Sequence, residues 1–293
     1  MNDTEVFAGY RPLLFTLAYE ILGSAADAED VVQESYLRWI AAADVTHPHA
    51  YLVQVVTRQA LNALRASKRR REDYVGNWLP EPIQTESDVS EDAVLAESVS
   101  MAMLLVLETL SPDERVVFVL HEVFGYSYPE IAPVVGKSDT AVRQIAHRAR
   151  EHVHARRRRF TPDKQLARTI VTRFLRAAHT GDIDGLVAVM APDIVALSDG
   201  GGKVSAARRP VVGPHRVAQF MAGLAQGAMA EFDISFGSYN SMPAVSFLRD
   251  GVLDSILLIE LTGGLITALY AMRNPDKLRD TATTRSLTRQ QEN

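Results

Sequence analysis

The chain has 293 residues, with 31 Lys+Arg against 36 Asp+Glu and 47% apolar residues, which suits two domains or three small ones with packed cores rather than a disordered chain. It has no cysteine, which excludes disulfide scaffolds, thiolate zinc fingers, iron–sulfur clusters and cysteine nucleophiles, and fits a reducing compartment. The first ten residues carry no Lys or Arg and no apolar run approaches the roughly 20 residues of a membrane span, so a cytoplasmic chain without membrane contact is expected.

Residues 1–160 read as almost entirely helical, with no convincing strand. Phe7–Ile21 is amphipathic, Gly23-Ser24 separates it from the next helix, and Ser24-Ala-Ala-Asp27 has the pattern of a capping box. Ala28, Val32, Tyr36 and Trp39 then form one apolar stripe, while Asp27, Asp30, Gln33, Glu34 and Arg38 lie off it. His47-Pro48-His49 marks a turn before a long helix from Ala50 to Arg71. Residues 74–92 hold Trp78, Pro80 and Pro82 without helical periodicity and read as an acidic linker with an exposed tryptophan. Helices resume near Ala93. Ser111-Pro-Asp-Glu114 and Ser127-Tyr-Pro-Glu130 are strong helix starts, Gly136 ends the second helix, and Ser138 caps a last one running to about Arg157. Pro133, inside the short helix, should remove a hydrogen bond and kink it.

Beyond residue 160, helical patterns over Leu166–His179 and Ile183–Met190 give way to alternation. Strands are predicted at Ile194–Leu197, Val204–Ala207, Ile234–Tyr239, Val245–Leu248, Leu253–Leu261 and Leu265–Met272, an α+β domain over 161–278. Residues 279–293 read as a polar, disordered tail.

Charge is sorted along the helical part. Residues 1–44 hold eight acids and two bases, and residues 72–97 hold eight acids and no base. Basic runs fall at Arg65–Arg71 and at 143–159, where seven arginines face Glu151 alone. Two basic helix ends can touch nucleic acid at two places despite a negative total; the plain alternative is that they complement helix dipoles. Ser127–Val135, a turn at 136–138 and a long helix have helix-turn-helix spacing. On the last helix Val142, Ile145, Ala146 and Ala149 share one side, and Thr140, Arg143, Gln144, His147 and Arg148 the other. Arginine reads guanine, glutamine adenine, and threonine a thymine methyl or a phosphate. An ordinary helical hairpin with a solvated face would carry a similar pattern.

These residues match a family. Tyr10–Glu72, centred on Gly23-Ser-Ala-Ala-Asp-Ala-Glu-Asp30-Val-Val-Gln-Glu34-Ser-Tyr-Leu-Arg-Trp39, resembles region 2 of extracytoplasmic-function sigma factors, and Leu110–Arg158 resembles their region 4. Trp78-Leu-Pro-Glu-Pro82, Asp199-Gly-Gly-Gly-Lys203 and Asn274-Pro-Asp-Lys-Leu278 resemble the actinobacterial subgroup that carries a SnoaL-like C-terminal extension. The resemblance implies a multidomain chain: a region 2 bundle (1–73), the linker (74–92), a region 4 helix-turn-helix (93–160), a cone-shaped SnoaL-like α+β domain (161–278) and the tail. It implies that Asp27, Asp30, Gln33 and Glu34 grip the β′ clamp helices of core RNA polymerase. Asn62, Arg65, Lys68 and Arg69 would meet the opened −10 element, the loop Asp44–His49 would capture a flipped base, and the helix bearing Arg143 would read the −35 element. The acidic linker would thread the polymerase's RNA channel. Trp78, Pro80, Pro82, Asp199, Gly200, Gly201, Gly202, Lys203, Asn274, Pro275, Asp276 and Lys277 would join the extension to the sigma regions, with no separate anti-sigma factor required. From the residues alone, both motifs of the last domain are surface turns, the first a glycine hairpin turn between strands.

Some SnoaL-like relatives are cyclases or isomerases. Asp193, Asp199, Asp233, His179, His215, Tyr239 and Tyr270 are the candidates for such chemistry here, but no two have a diagnostic spacing. No catalytic residue, cofactor or metal is expected. The competing readings are a helix-turn-helix repressor with a ligand-sensing domain, and a SnoaL-type enzyme with a helical appendage.

Overall fold

The computed structural model describes residues 3–42, 45–85, 92–155, 164–228, 231–279, 281 and 283–290, and of 68–72, 164 and 226–228 the backbone alone. The chain divides into two units: residues 1–73, 88–157 and 285–293, and residues 74–87 with 158–284.

The first unit is helical: α1 (Asp3–Leu22), α2 (Ala25–Ala41), α3 (Pro48–Glu72), α4 (Ala93–Ser98), α5 (Met101–Glu108), α6 (Pro112–Phe118), a π-helical turn (Val119–Val123), α7 (Tyr128–Val135) and α8 (Asp139–His154). The predicted caps are in place. The Ser24 hydroxyl accepts from the Asp27 N–H (3.1 Å). Glu114 and Glu130 each accept from the backbone N–H of the serine three residues before, at 3.0 and 2.8 Å. Gly136 closes α7 at φ 67°, the left-handed cap for which a Cβ is costly. Pro133 lies on the exposed side of α7, which stays helical through Val135. Leu14, Leu17, Ile21, Leu52 and Val56 are among the side chains that fill the core where α1 packs on α2 and α3.

Residues 285–290, part of the expected tail, belong to this unit. Leu287 is buried, the Thr288 N–H donates to the Thr16 hydroxyl (3.1 Å), Arg285 pairs with Glu29 and covers the Phe15 ring, and Arg289 meets Asp92 at 2.5 Å. Alternating Thr and Arg in a polar stretch carries no sign of this, because each partner lies far off in sequence.

The second unit is α+β. Its strands are β1 (Gln84–Thr85), β2 (Met190–Asp199), β3 (Val211–Val212), β4 (Asp233–Tyr239), β5 (Met242–Arg249), β6 (Val252–Thr262) and β7 (Leu265–Met272). They run in the order β3-β2-β7-β6-β5-β4-β1. Among these described strands the β2–β7 pairing is parallel and the others are antiparallel, and the register shifts within β2–β7, β5–β6 and β6–β7, irregularities of the kind that bend a sheet. α9 (Lys164–Thr180), α10 (Ile183–Val187) and α11 (Pro214–Ala228) share a core with one face of the sheet: Val171, Phe174, Leu186, Val217 and Met221 meet Leu257, Ile259 and Leu269. A short helix, α12 (Pro275–Leu278), follows β7.

Three expectations need correction. Val204–Ala207 is not a strand, so Asp199–Lys203 is a turn into a loop rather than a hairpin turn. Residues 74–85 are not a free linker: Leu79, Pro80, Pro82 and Ile83 are buried, and the Ile83 N–H donates to Asn240 Oδ1 (3.1 Å) while its carbonyl accepts from the Asn240 N–H (2.9 Å). Asn274–Leu278 is a helical turn, not a surface turn, with Asn274 and Lys277 buried.

Candidate functional site

On α2 the buried side holds Ala28, Val31, Val32 and Trp39, whose indole N–H donates to the Asp3 carbonyl (2.7 Å). The other side presents Asp30, Gln33 and Glu34 exposed, with Asp27 half-buried near the N-terminus. Glu34 pairs with Arg38, one turn on, at 2.7 Å. Leu37 and Ile40, 61% and 49% exposed, lie on the same outer side. A search for apolar residues that face inward does not single these two out. Their spacing from Asp30 and Gln33, by seven residues each, is the available signal.

α3 carries Asn62 and Arg65 exposed. Arg65 donates to Asp113 on α6 at 2.7 Å, and Lys137 approaches the same carboxylate at 3.0 Å. The two cations hold Asp113 below the usual carboxylate range against the opposing effect of burial. Arg58 donates to the Pro133 carbonyl at 2.7 Å. The side chains of Lys68 and Arg69, the loop residue Asp44 and the basic run Arg156–Arg159 lie outside the described residues.

α8 is anchored by Val142, Ile145, Ala146, Ala149 and Val153. Thr140, Arg143, Gln144, His147 and Arg148 are all exposed on its outer face. The Ser138 hydroxyl accepts from the Ala141 N–H (3.3 Å) at its start. Arg143 lies 5.1 Å from the centre of the Tyr128 ring, which steadies its guanidinium without occupying its donors, and His147 is 3.6 Å from Glu151. This is an outward polar face on a rigid, capped helix of a helix-turn-helix.

The second unit gathers the motif residues around Asp199, which is fully buried. One carboxylate oxygen accepts from the Tyr74 hydroxyl (2.6 Å) and the Gly201 N–H (3.0 Å). The other accepts from the Leu79 N–H (2.9 Å) and Lys277 Nζ (2.9 Å). Lys277 also donates to the Leu79 carbonyl (2.5 Å) and lies 4.2 Å from the Trp78 ring centre, so Trp78 is half-buried rather than exposed. Asn274 donates to the Tyr74 hydroxyl (2.8 Å), and Lys203 pairs with Asp276. Burial, and then the Asp199 carboxylate, push the Tyr74 phenol well above its usual range. Gly201 sits at φ 62°, and a Cβ there would collide with the Asn274 amide. Glycine at this position thus permits close approach of the two motifs.

Comparison with known proteins decides what carries these faces. Residues 6–70 match the family model of sigma-70 region 2, and residues 100–153 match that of sigma-70 region 4. The chain is 38% identical over 290 residues to the ECF RNA polymerase sigma factor SigJ of Mycobacterium tuberculosis, covering 94% of this chain and 93% of that protein. The chain belongs to the ECF RNA polymerase sigma factors. It is also 30% identical to the probable ECF RNA polymerase sigma factor SigI of that organism, over 92% of each chain. The crystal structure of the M. tuberculosis extracytoplasmic function sigma factor SigJ superposes with a TM-score of 0.75 at 34% identity, covering 94% of this chain and 98% of that one.

In this sigma factor, regions 2 and 4 share the first unit. A buried polar cluster crosses between them, and no sequence motif announces it. Arg115 of α6 donates to the Glu20 carbonyl of α1 through Nε (3.1 Å) and Nη2 (3.0 Å), and pairs with Glu108. The Glu20 carboxyl sits 2.5 Å from the Ser98 hydroxyl. Burial pushes Glu20 up to about 8 and Arg115 down to about 9, the other polar neighbours only partly offsetting it.

The catalytic candidates do not converge. Asp193, Asp233, His179 and His215 are exposed, and Tyr239 is buried. The Tyr270 hydroxyl donates to Glu260 (2.5 Å), and Asp199 is held as described. Among the described residues no three His, Asp or Glu side chains form a metal-binding group, and no helix is long and apolar enough to cross a membrane.

Proposed function

We propose that this sigma factor, in the cytoplasm, docks on the β′ clamp helices of core RNA polymerase through α2, and directs it to promoters that α8 reads at the −35 element. The carrying observation is the pair of outward faces on capped, packed helices. One is acidic with two exposed apolar side chains; the other is polar and basic. Asp27, Asp30, Gln33 and Glu34 supply charge and hydrogen-bond acceptors to the clamp, and Leu37 and Ile40 supply apolar area. Arg143, Gln144, His147 and Arg148 reach base edges, and Thr140 a phosphate or a thymine methyl. Asn62, Arg65, Lys68 and Arg69 meet the opened −10 element. Because Arg65 is paired with Asp113 and Arg58 with the Pro133 carbonyl, DNA contact by α3 requires regions 2 and 4 to part.

The second unit is the built-in regulator. Its grip on residues 74–85, through Asp199, Lys277 and Asn240, withholds the segment that joins the two sigma regions, and no separate anti-sigma factor is required. In this reading Trp78→Ala alters transcription while each unit stays folded.

The deciding experiment is a core-polymerase pull-down with run-off transcription. Asp30→Arg with Glu34→Arg should leave helicity unchanged and weaken core binding by about 2 kcal/mol. Undiminished recovery with core polymerase would sink the assignment of α2.

A further inference from the structure

The second unit contains an apolar cavity of about 180 Å³ between α9, α11 and the strands β5 to β7. Phe174, Met221, Phe247 and Leu257 line its body. Its polar end is formed by Arg249, Asp254 and Arg273. The regulatory grip on residues 74–85 makes no use of this space, and none of the seven catalytic candidates lines it.

We propose that the cavity binds a small amphiphilic carboxylate, with its apolar body among Phe174, Met221, Phe247 and Leu257 and its carboxylate between Arg249 and Arg273. Size sets the body. An apolar protein cavity of about 150 Å³ accepts one benzene ring, so this one takes a single ring or a short aliphatic chain. Charge sets the head. The lining has two guanidinium groups and one carboxylate. Neither arginine is closely paired with a carboxylate: Arg273 meets Asp254 at 3.4 Å, and Arg249 meets Glu231 at 3.4 Å with both side chains more than half exposed. Charge-assisted pairs usually close to about 2.7–2.9 Å, as Arg11–Glu29 (2.6 Å) and Arg150–Glu122 (2.7 Å) do in the first unit. Arg249 is held over the Phe232 ring at 4.7 Å, and Arg273 donates to the Ser205 carbonyl at 2.7 Å. Both cations are therefore placed, yet keep donors for an incoming carboxylate. Arg273 also sits where occupancy can be felt: its N–H donates to the Asp199 carbonyl (2.8 Å), and the next residue is Asn274 of the buried cluster.

Calorimetric titration of the full chain with 3-phenylpropionate tests the site, with 3-phenylpropan-1-ol lacking the charge and propionate lacking the ring. Saturable binding of 3-phenylpropionate is expected, with both controls at least about tenfold weaker. Arg249→Gln at the exposed end should weaken binding about tenfold, and Arg249→Lys less. Leu224→Trp, at the half-exposed rim, should block the ring. Unchanged thermal unfolding of the Arg249 variants shows that the site and not the fold was altered. The proposal is overturned by no binding up to millimolar concentration, by equal binding of the alcohol, or by Arg249→Gln and Leu224→Trp both leaving affinity unchanged. Promoter reading and core binding play no part in this measurement, so its failure leaves those proposals untouched.

Discussion

The outer face of α8 and the cluster around Asp199 are both built from charged and polar side chains, and they use them in opposite ways. On α8 the charges stay in water. Arg143 is steadied by a ring, His147 by a neighbour one turn away, and the apolar side of the helix supplies the stability. Such groups carry little desolvation cost and remain available to a partner. Around Asp199 the charges have left water. Each carboxylate oxygen has two donors, and Lys277 has a carboxylate, a carbonyl and two aromatic rings. Such a site tolerates no missing member. The comparison teaches that charge density alone does not mark a binding surface; accessibility and the state of the partners decide.

The largest effect expected from breaking this contrast is at the buried pair. Asp199→Ala or Lys277→Ala should each destabilise the second unit by about 3–5 kcal/mol in chemical denaturation, because each strands a buried charge. Asp199→Leu with Lys277→Met should cost less than either single change, and a double change that is simply additive would show that the two do not act as a pair. The opposite extreme is Arg148→Ala on α8. It should leave the unfolding midpoint within about 0.5 kcal/mol of the parent and weaken binding to a −35 duplex by about 1–3 kcal/mol, with relaxed preference at one position. A uniform loss across all duplex sequences would instead assign Arg148 to phosphates.

Glu20 sharpens the comparison inside the first unit. Its carboxyl titrates near 8 when folded against 4.5 ordinarily, so the folded unit keeps a proton that the unfolded chain releases. Its contribution is therefore complete below pH about 4.5 and is lost as pH rises to about 8, with a slope of at most about 1.4 kcal/mol per pH unit. Glu20→Gln should flatten that part of the stability–pH curve; an unchanged curve would mean that other groups set it. The smallest effect is at a cap. Ser138→Ala should cost about 1 kcal/mol through the lost bond to the Ala141 N–H and lower DNA affinity only through fraying of the start of α8. Hydrogen exchange confined to the first turn would check this.

Much of the first unit was legible because its signals are local. Ser111 and Ser127 reach a glutamate three residues on, Gly136 supplies a left-handed cap, and the period of Val142, Ile145, Ala146 and Ala149 fixes which side of α8 faces out. These depend on backbone geometry within one or two turns, so the residues themselves dictate them. In the second unit, alternation located five strands to within a few residues but misread Val204–Ala207, whose short apolar pattern finds no pairing partner.

What only the tertiary structure decided has separations too long for any pattern. Asp199 meets Tyr74 and Lys277, Arg115 meets Glu20, and Arg289 meets Asp92. A charged residue reads the same in sequence whether it ends in water or in a core. Its fate is fixed by whether folding brings enough donors and acceptors to replace its hydration. The sequence therefore determined the helices, their caps and their outward faces. The fold decided that a glycine turn, residues 285–290 of a polar tail and residues 74–85 of a supposed linker became packed structure, because only there do their partners meet.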